Sequence, residues 1–322
     1  MRLAFAACAV LGLGLGGCDN GKSHLHPEAG MDAAPPPWWR PTLGEAKDWD
    51  IQLNAPFELT TRNTMYDLNL WDVVPAATPI DYGDGMPVTV PAGVLAGKIA
   101  ELHARNVKVV CHIDTGAIHL TKDPDANKFP GHEVTPVPND PDPPAAGSVI
   151  GWSIDDTVEE KDHRFLDTRE ASRSAWAPIM WKRFDLAKQI GCDGIDADRN
   201  LATAGTTGFD IQATDTFSWH RAIAKEAHDR VMGVGMRNGT SLPNLVEMVG
   251  PDFDVMFSDG CGEAADCGLF RTFLDRGRVV FAIDYQGSFE DATCLNQQQG
   301  GVTEGLIKDV AISSLYRRQC TP

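Results

Sequence analysis

Short apolar runs recur along this chain with helical patterns between them, and most of the runs end in an acidic or polar side chain. Eight runs read as strands: 50–53, 64–71, 107–114, 165–168, 194–198, 231–237, 253–258 and 279–285. Several are nearly continuous in apolar residues, such as Val107-Lys108-Val109-Val110-Cys111. That composition suits a parallel sheet covered on both faces. Amphipathic helices fit between the runs. Leu95, Ile99 and Leu102 share one helical face, as do Met180, Phe184 and Ala187, and again Leu242, Leu245, Val246 and Val249. Eight such units predict an α/β fold, a closed (β/α)8 TIM barrel. The alternative, an open doubly wound sheet, would carry a GxGxxG after an early strand, and no early strand is followed by one.

The ends of the runs carry the chemistry. Asp67 and Asp72 lie on or just after the second run, Asp114 closes the third, and Asp196 and Asp198 the fifth. Arg237-Asn238 follows the sixth, Asp259 the seventh, and Asp284-Tyr285 closes the eighth. In a barrel these positions converge on one mouth, where active sites of this fold lie. Asp also caps helices, but capping fits poorly for so many acids with Trp71, Trp152 and Tyr285 close by. Converging carboxylates suit glycosidic cleavage, in which one acid protonates the leaving oxygen and a second attacks the sugar carbon or activates water. No GxSxG or HExxH is present, and no Cys/His spacing points to zinc, so no metal or cofactor is expected. Residues 119–149 interrupt the alternation with Pro124, Pro130, Pro136, Pro138, Pro141, Pro143 and Pro144. They predict a long Pro-rich loop after the third strand, serving as a lid or binding wall.

The start of the chain sets the compartment. Arg2 precedes an apolar stretch, residues 3–15, of signal-peptide length, and Leu15-Gly16-Gly17-Cys18 resembles a bacterial lipobox with Cys18 as the lipidated residue. The reading is a signal peptide over 1–17, a flexible Pro-rich tether over 18–37 and one catalytic domain over 38–322, exported and held to the cell envelope by lipid alone. The formal net charge of −17 argues against nucleic acid as a partner and would attract a cationic substrate. It would equally serve solubility. A monomer is expected. Setting aside Cys8 and Cys18, six cysteines remain, an even number for an exported protein. Cys261 with Cys267 makes a plausible local bridge, and Cys294 with Cys320 could tie down the C-terminus. Cys111 and Cys192 are left on inner strands with their pairing open.

Several strings are specific: Trp38-Trp39-Arg40-Pro41, Met65-Tyr66-Asp67-Leu68-Asn69, Cys111-His112-Ile113-Asp114, Asp123-Pro124-Asp125-Ala126 and Arg183-Phe184-Asp185. Gly191-Cys192-Asp193-Gly194-Ile195-Asp196-Ala197-Asp198 is the most distinctive. Arg237-Asn238, Asp259-Gly260-Cys261 and Asp284-Tyr285 complete the ordered set. Together they resemble glycoside hydrolase family 114, the endo-α-1,4-polygalactosaminidases. The resemblance implies a barrel that cleaves galactosamine-containing polysaccharide. It places the catalytic acids at Asp198, as nucleophile or base, and Asp259, as general acid/base. Asp67, Asp114, Asp196, Arg237, Asn238, Asp284 and Tyr285 would bind sugar. The chain carries Asp at 196, 259 and 284 where the family usually has Glu, Arg237 for Lys, and His112 for Tyr. Each Asp is shorter by one bond length, about 1.5 Å. The alternative function is a non-catalytic carbohydrate-binding lipoprotein on the same barrel.

Overall fold

The sequence Lys-Val-Val-Cys-His-Ile-Asp at 108–114 is too apolar for a half-exposed strand. In the computed structural model it forms one whose interior positions are all buried. The structure describes residues 35–45, 47–60, 62–132, 144–154, 161–201 and 206–320. The expected signal peptide, Cys18 and most of the tether lie outside them. Pro36–Pro322 make up one unit. Among the described residues no helix is long and apolar enough to cross a membrane.

Eight parallel strands follow one another in sheet order: β1 (Trp49–Gln52), β2 (Met65–Asn69), β3 (Lys108–Asp114), β4 (Gly194–Asp198), β5 (Gly233–Arg237), β6 (Val255–Asp259), β7 (Val280–Tyr285) and β8 (Glu304–Lys308). An antiparallel strand, Arg317–Cys320, pairs with β8. Buried contacts join the two ends of the sheet. Trp49 Nε1 donates to the Glu304 carbonyl at 2.9 Å, Lys308 Nζ meets Asp50 Oδ1 at 2.8 Å, and Leu53 N donates to the Ile312 carbonyl at 2.9 Å. The ring encloses an apolar plug of Trp49, Ile51, Val110, Phe257, Phe281, Ile283 and Leu306. Phe257 and Phe281 stack at 5.2 Å, and Trp49 tilts onto Phe281 at 4.7 Å. Gly235 makes room for this plug: a Cβ there would come within 2.4 Å of the Phe257 ring. At the strand starts, Trp38 Nε1 and Arg40 Nε both donate to Asp254 Oδ1, at 3.0 and 2.5 Å. Trp39 packs against the plug.

Seven of the eight expected strands take part in this ring, and the fourth does not. His163–Leu166, which overlaps the run at 165–168, pairs antiparallel with Ala117–His119 and Ile150–Ser153 in a separate three-stranded sheet. The true eighth stave is Glu304–Lys308, Glu-Gly-Leu-Ile-Lys, buried at every position. Its polar ends and early glycine, Gly305, hid it. Asp198 therefore ends β4 and Asp259 ends β6, one place earlier than expected. The excursion between β3 and β4 is not a bare loop, because it carries that small sheet. Pro136, Pro138, Pro141 and Pro143 lie outside the described residues, so the Pro-rich lid is seen only at its flanks. The expected helical faces are buried: Ile99 and Leu102 in Lys98–His103, Met180, Phe184 and Ala187 in Ala177–Ile190, and Leu245, Val246 and Val249 in Leu245–Val249.

All six cysteines pair. Cys261–Cys267 and Cys294–Cys320 form as read from the sequence, and the remaining two join as Cys111–Cys192. Cys111–Cys192 spans 81 residues and Cys261–Cys267 only 6. Loop-closure entropy then predicts unequal losses: about 4 kcal/mol of stability for removing the first and about 2 for the second. Denaturant unfolding of the two Cys→Ala pairs checks this, and equal losses, or the reverse order, would contradict it.

Candidate active site

The strand register sets the ends of β2 to β7 around one mouth. Asp114 sits opposite Asp198, and His112 opposite Asp196, across the β3–β4 pair. Alternation of side chains then points members of each pair to the same side of the barrel wall. Arg237, the last residue of β5, extends into the space these acids surround. Its Nε and Nη2 form a fork on Asp259, at 3.0 Å to Oδ2 and 2.9 Å to Oδ1. Nη1 donates to Asp196 Oδ2. Nε also lies 3.5 Å from Asp198 Oδ2, and Nη1 lies 3.8 Å from Asp67 Oδ2. Four carboxyls thus share one guanidinium.

The site has two layers. Asp198 and Asp259 keep 17% and 23% of their side-chain surface exposed, and Asp114 24%. Beneath them Arg237, Asp196 and Asp67 are fully buried. Asp198 and Asp259 face the same arginine. Their Oδ2 atoms, 3.5 and 3.0 Å from Nε, cannot be farther apart than those two distances laid end to end. The expectation that Asp67, Asp196, Asp284 and Arg237 bind sugar meets a physical obstacle: none has surface for a sugar to touch. Asp284 instead accepts the backbone N–H of Gly262 and Glu263 and the Gln297 amide. It caps the short turn that follows Asp259. Asp114, Asn238 and Tyr285 do reach the upper layer.

The loops hold the upper pair. Asn238 sits at φ 57°, a region an Asn tolerates better than most residues. There its amide donates to Asp259 Oδ2 at 3.1 Å, and its Oδ1 accepts the Asp259 N–H at 2.7 Å. Tyr285 Oη donates to Asp259 Oδ1 at 3.4 Å. Arg199, at φ 60°, donates its N–H to Asp198 Oδ1 at 2.6 Å. Gly116 lets the backbone after β3 press against this turn: a Cβ there would stand 2.1 Å from the Arg199 carbonyl. Arg183, buried in Ala177–Ile190, grips Asp123 Oδ2 at 3.0 Å and Asp125 Oδ1 at 2.6 Å. Trp71 Nε1 donates to the same Asp123 at 2.9 Å. The Asp123-Pro124-Asp125 string is therefore a brace that fixes Trp71 at the rim.

Two residues outside the candidate set complete the site. His112, which stands where the resembled family has Tyr, bridges the layers: Nδ1 lies 3.0 Å from Asp196 Oδ2, and Nε2 lies 3.6 and 3.7 Å from Asp114 and Asp198. His163 Nε2, from the small sheet, meets Asp114 Oδ2 at 2.9 Å. Nothing local in the sequence links it to a barrel strand.

Burial opposes charge throughout, and partners decide the outcome. For Asp196 burial is outweighed by the Arg237 charge and the His112 hydrogen bond, which hold it at about 2. Burial likewise opposes protonation of His112, yet the carboxyls of Asp114 and Asp196 raise it well above the ordinary value. Partial burial opposes the charge of Asp114, yet His112 and His163 hold it well below the usual carboxylate range. Asp198 is raised, because burial outweighs Arg237 and His112. Burial and the nearby Asp259 charge raise Tyr285, which stays a neutral donor.

Atoms of Asp67, His112 and Asp196 lie within 4.8 Å of one another, as do those of His112, Asp114 and Asp198. Arg237 and His112 already supply positive charge at both places. What this arrangement can do is proton transfer and attack by a carboxylate pair in a partly sheltered mouth.

A carboxylate pair at the C-terminal mouth of a (β/α)8 barrel defines a glycosidase-type site. The chain belongs to that class through its family: the model of Glycoside-hydrolase family GH114 matches residues 28–321. No curated protein matches the chain. Among solved structures it is similar to Aspergillus fumigatus Ega3 in complex with galactosamine, at 21% identity and TM-score 0.65, covering 88% of this chain and 97% of that one. It is also similar to a variant of the glycoside hydrolase domain of PelA from Pseudomonas aeruginosa, at 11% identity and TM-score 0.50, covering 83% and 96%. These likenesses bear on the fold.

Arg237→Gln should lower the unfolding free energy by about 3 kcal/mol at neutral pH, because it strands buried carboxylates. The sign of the pH dependence follows from Asp196. Its folded value of about 2 lies below the ordinary 3.8, so its ion pair stabilises the fold above that pH, and the stabilisation is lost as pH falls through about 2. Denaturant melts from pH 7 to pH 2 should show the gap to the parent protein narrowing over the acid end. A gap that is constant, or absent at pH 7, contradicts the account.

Proposed function

We propose that this chain is an endo-acting glycoside hydrolase that cleaves a galactosamine-containing, α-1,4-linked polysaccharide, with Asp198 as nucleophile and Asp259 as general acid/base. The observation that carries the reading is the shared grip of Arg237 on both exposed acids at the mouth. The galactosamine bound to Ega3, a protein of similar fold, supports the sugar. A partly deacetylated polymer is cationic, which suits a mouth rich in carboxylates and a chain of net charge −17.

The chemistry then runs on this chain's own groups. Asp259 must first take up a proton, against the Arg237 fork; so protonated, it gives that proton to the glycosidic oxygen as ionised Asp198 attacks the anomeric carbon. Asp259 then takes a proton from the water that releases the sugar. Inverting enzymes keep their carboxyls about 6.5–9.5 Å apart to admit water, and retaining pairs stand about 5–5.5 Å apart. The common contact with Nε holds the two Oδ2 atoms at or inside the short end of the inverting span. That favours retention. Arg199 N–H orients Asp198, while Asn238 and Tyr285 orient Asp259. Trp71, braced by Asp123, offers an aromatic face to a sugar ring at the rim.

Incubating the purified protein with partly deacetylated polygalactosamine should release new reducing ends. Asp198→Asn and Asp259→Asn should each lower kcat by at least about 1,000-fold while the fold persists. Binding without release by the unmutated protein would overturn the reading in favour of a carbohydrate-binding lipoprotein.

We further propose an exported monomer, lipidated on Cys18. The apolar leader before Leu15-Gly16-Gly17-Cys18 supports this, and so do three disulfides, which persist in oxidising compartments. Expressed in a bacterium, the parent chain should fractionate with membranes and Cys18→Ser should not. Identical fractionation of the two would remove the anchor.

A further inference from the structure

Three carboxyl oxygens beneath the mouth receive no hydrogen bond from the described residues: both oxygens of Asp67, and Oδ1 of Asp196. Asp67 comes from β2 and has no exposed surface. The charged or titratable groups that face it are Asp196 from β4, His112 from β3 and Arg237 from β5. Arg237 Nη1 stands 3.8 Å away, beyond hydrogen-bond reach. Asp196 Oδ2 is served twice, by Arg237 and His112, while its Oδ1 is served by nothing.

A fully buried carboxylate without a donor is costly enough that such a group takes up a proton instead. One proton removes the conflict. As a carboxylic acid, Asp67 loses its charge and gains an O–H, and Asp196, with a carboxyl oxygen within 4.8 Å of one of its own, is the acceptor beside it. Asp196 is the better anion of the two, because it alone holds direct bonds from Arg237 and His112.

We propose that Asp67 is kept as the neutral acid and donates its proton to Asp196, making it a positioning residue for Asp198 and Asp259 through Asp196 and Arg237. The link to the reacting pair rests on the glycosidase reading above; the protonation does not. With Asp67 neutral, Nη1 of Arg237 has one anion on its inner side, Asp196, and the Nε/Nη2 fork is directed up to Asp259. An ionised Asp67 would add a second inner anion and draw the guanidinium down, away from the fork. Burial and the Asp196 charge both oppose ionisation of Asp67, against His112 and Arg237.

Two near-isosteric variants of the full chain test this. Asp67→Asn supplies an N–H donor with no charge, and Asp67→Leu supplies neither donor nor charge. Infrared difference spectra at neutral pH should show a protonated-carboxyl C=O band in the parent protein that is absent from Asp67→Asn. Asp67→Asn should keep kcat within about threefold of the parent. Its activity should persist to higher pH, because the acid whose ionisation would disturb Arg237 is gone. Asp67→Leu should lose at least about tenfold in kcat with little change in KM. Should that variant fail to fold, the Asn variant and the infrared band still decide. Loss of no band in Asp67→Asn, or a kcat loss as large as that of Asp67→Leu, would overturn the proposal. So would stabilisation of the parent, but not of Asp67→Asn, by added Mg2+, Ca2+ or Zn2+, since a cation would then fill the place given to the proton. If the parent cleaves no polymer the glycosidase reading fails, and the infrared band still decides the state of Asp67.

Discussion

A single guanidinium organises the mouth of this barrel. Arg237 is buried, permanently charged and planar, and its donors are aimed at carboxyls from three other strands. Without such a cation, acids brought this close would repel or protonate one another at random. With it, Asp196 is fixed as an anion below, and Asp198 and Asp259 both lie against Nε above. The fork geometry matters as much as the charge, because only two parallel N–H groups can set the plane of the Asp259 carboxyl.

The barrel lowers the conformational cost of that arrangement. Arg237 ends a strand flanked on both sides by parallel partners and underlain by the Trp49, Phe257 and Phe281 plug. Its base is therefore rigid, and little side-chain freedom remains to be lost when the acids are positioned. The upper residues get their precision from turns. Asn238 and Arg199 occupy left-handed backbone positions immediately after their strands, and each donates to a catalytic candidate from there. A second buried arginine, Arg183, does the analogous work at the rim by bracing the loop that carries Asp123 and hence Trp71. Both arginines are buried against paired acids, one beneath the two candidate catalytic acids and one in the wall beside them.

Much of this was legible in the sequence, for identifiable reasons. Strands such as 108–114 and 280–285 are buried on both faces, so their apolar runs stand out, and the acids at their ends could be listed in order. The run at 165–168 misled because a short strand in a satellite sheet has the same composition as a short barrel strand. Glu304–Lys308 was missed because its polar ends, Glu304 and Lys308, are buried by partners that come from β1: the Trp49 indole on the Glu304 carbonyl and Asp50 on Lys308. Such partners lie 255 and 258 residues away and leave no local trace. The same limit applies to the site. Sequence placed Asp198 and Asp259 at the mouth, but it could not separate the acids that reach the surface from those that lie beneath it. Asp67, Asp196 and Asp284 look like sugar ligands when read in order along the chain, and depth alone makes them supports. His163 entered the site only through the fold of the small sheet.

The account stands on Asp198 and Asp259 acting on one glycosidic bond from within a single grip. Trapping the reaction midway tests this most directly. A 5-fluoro glycosyl fluoride of galactosamine should glycosylate the nucleophile and leave it slowly enough for the labelled peptide to be isolated and sequenced by mass spectrometry. The account predicts the sugar on Asp198, in an ester that turns over slowly. A label on Asp259, on Asp114 or on no carboxylate at all would contradict it.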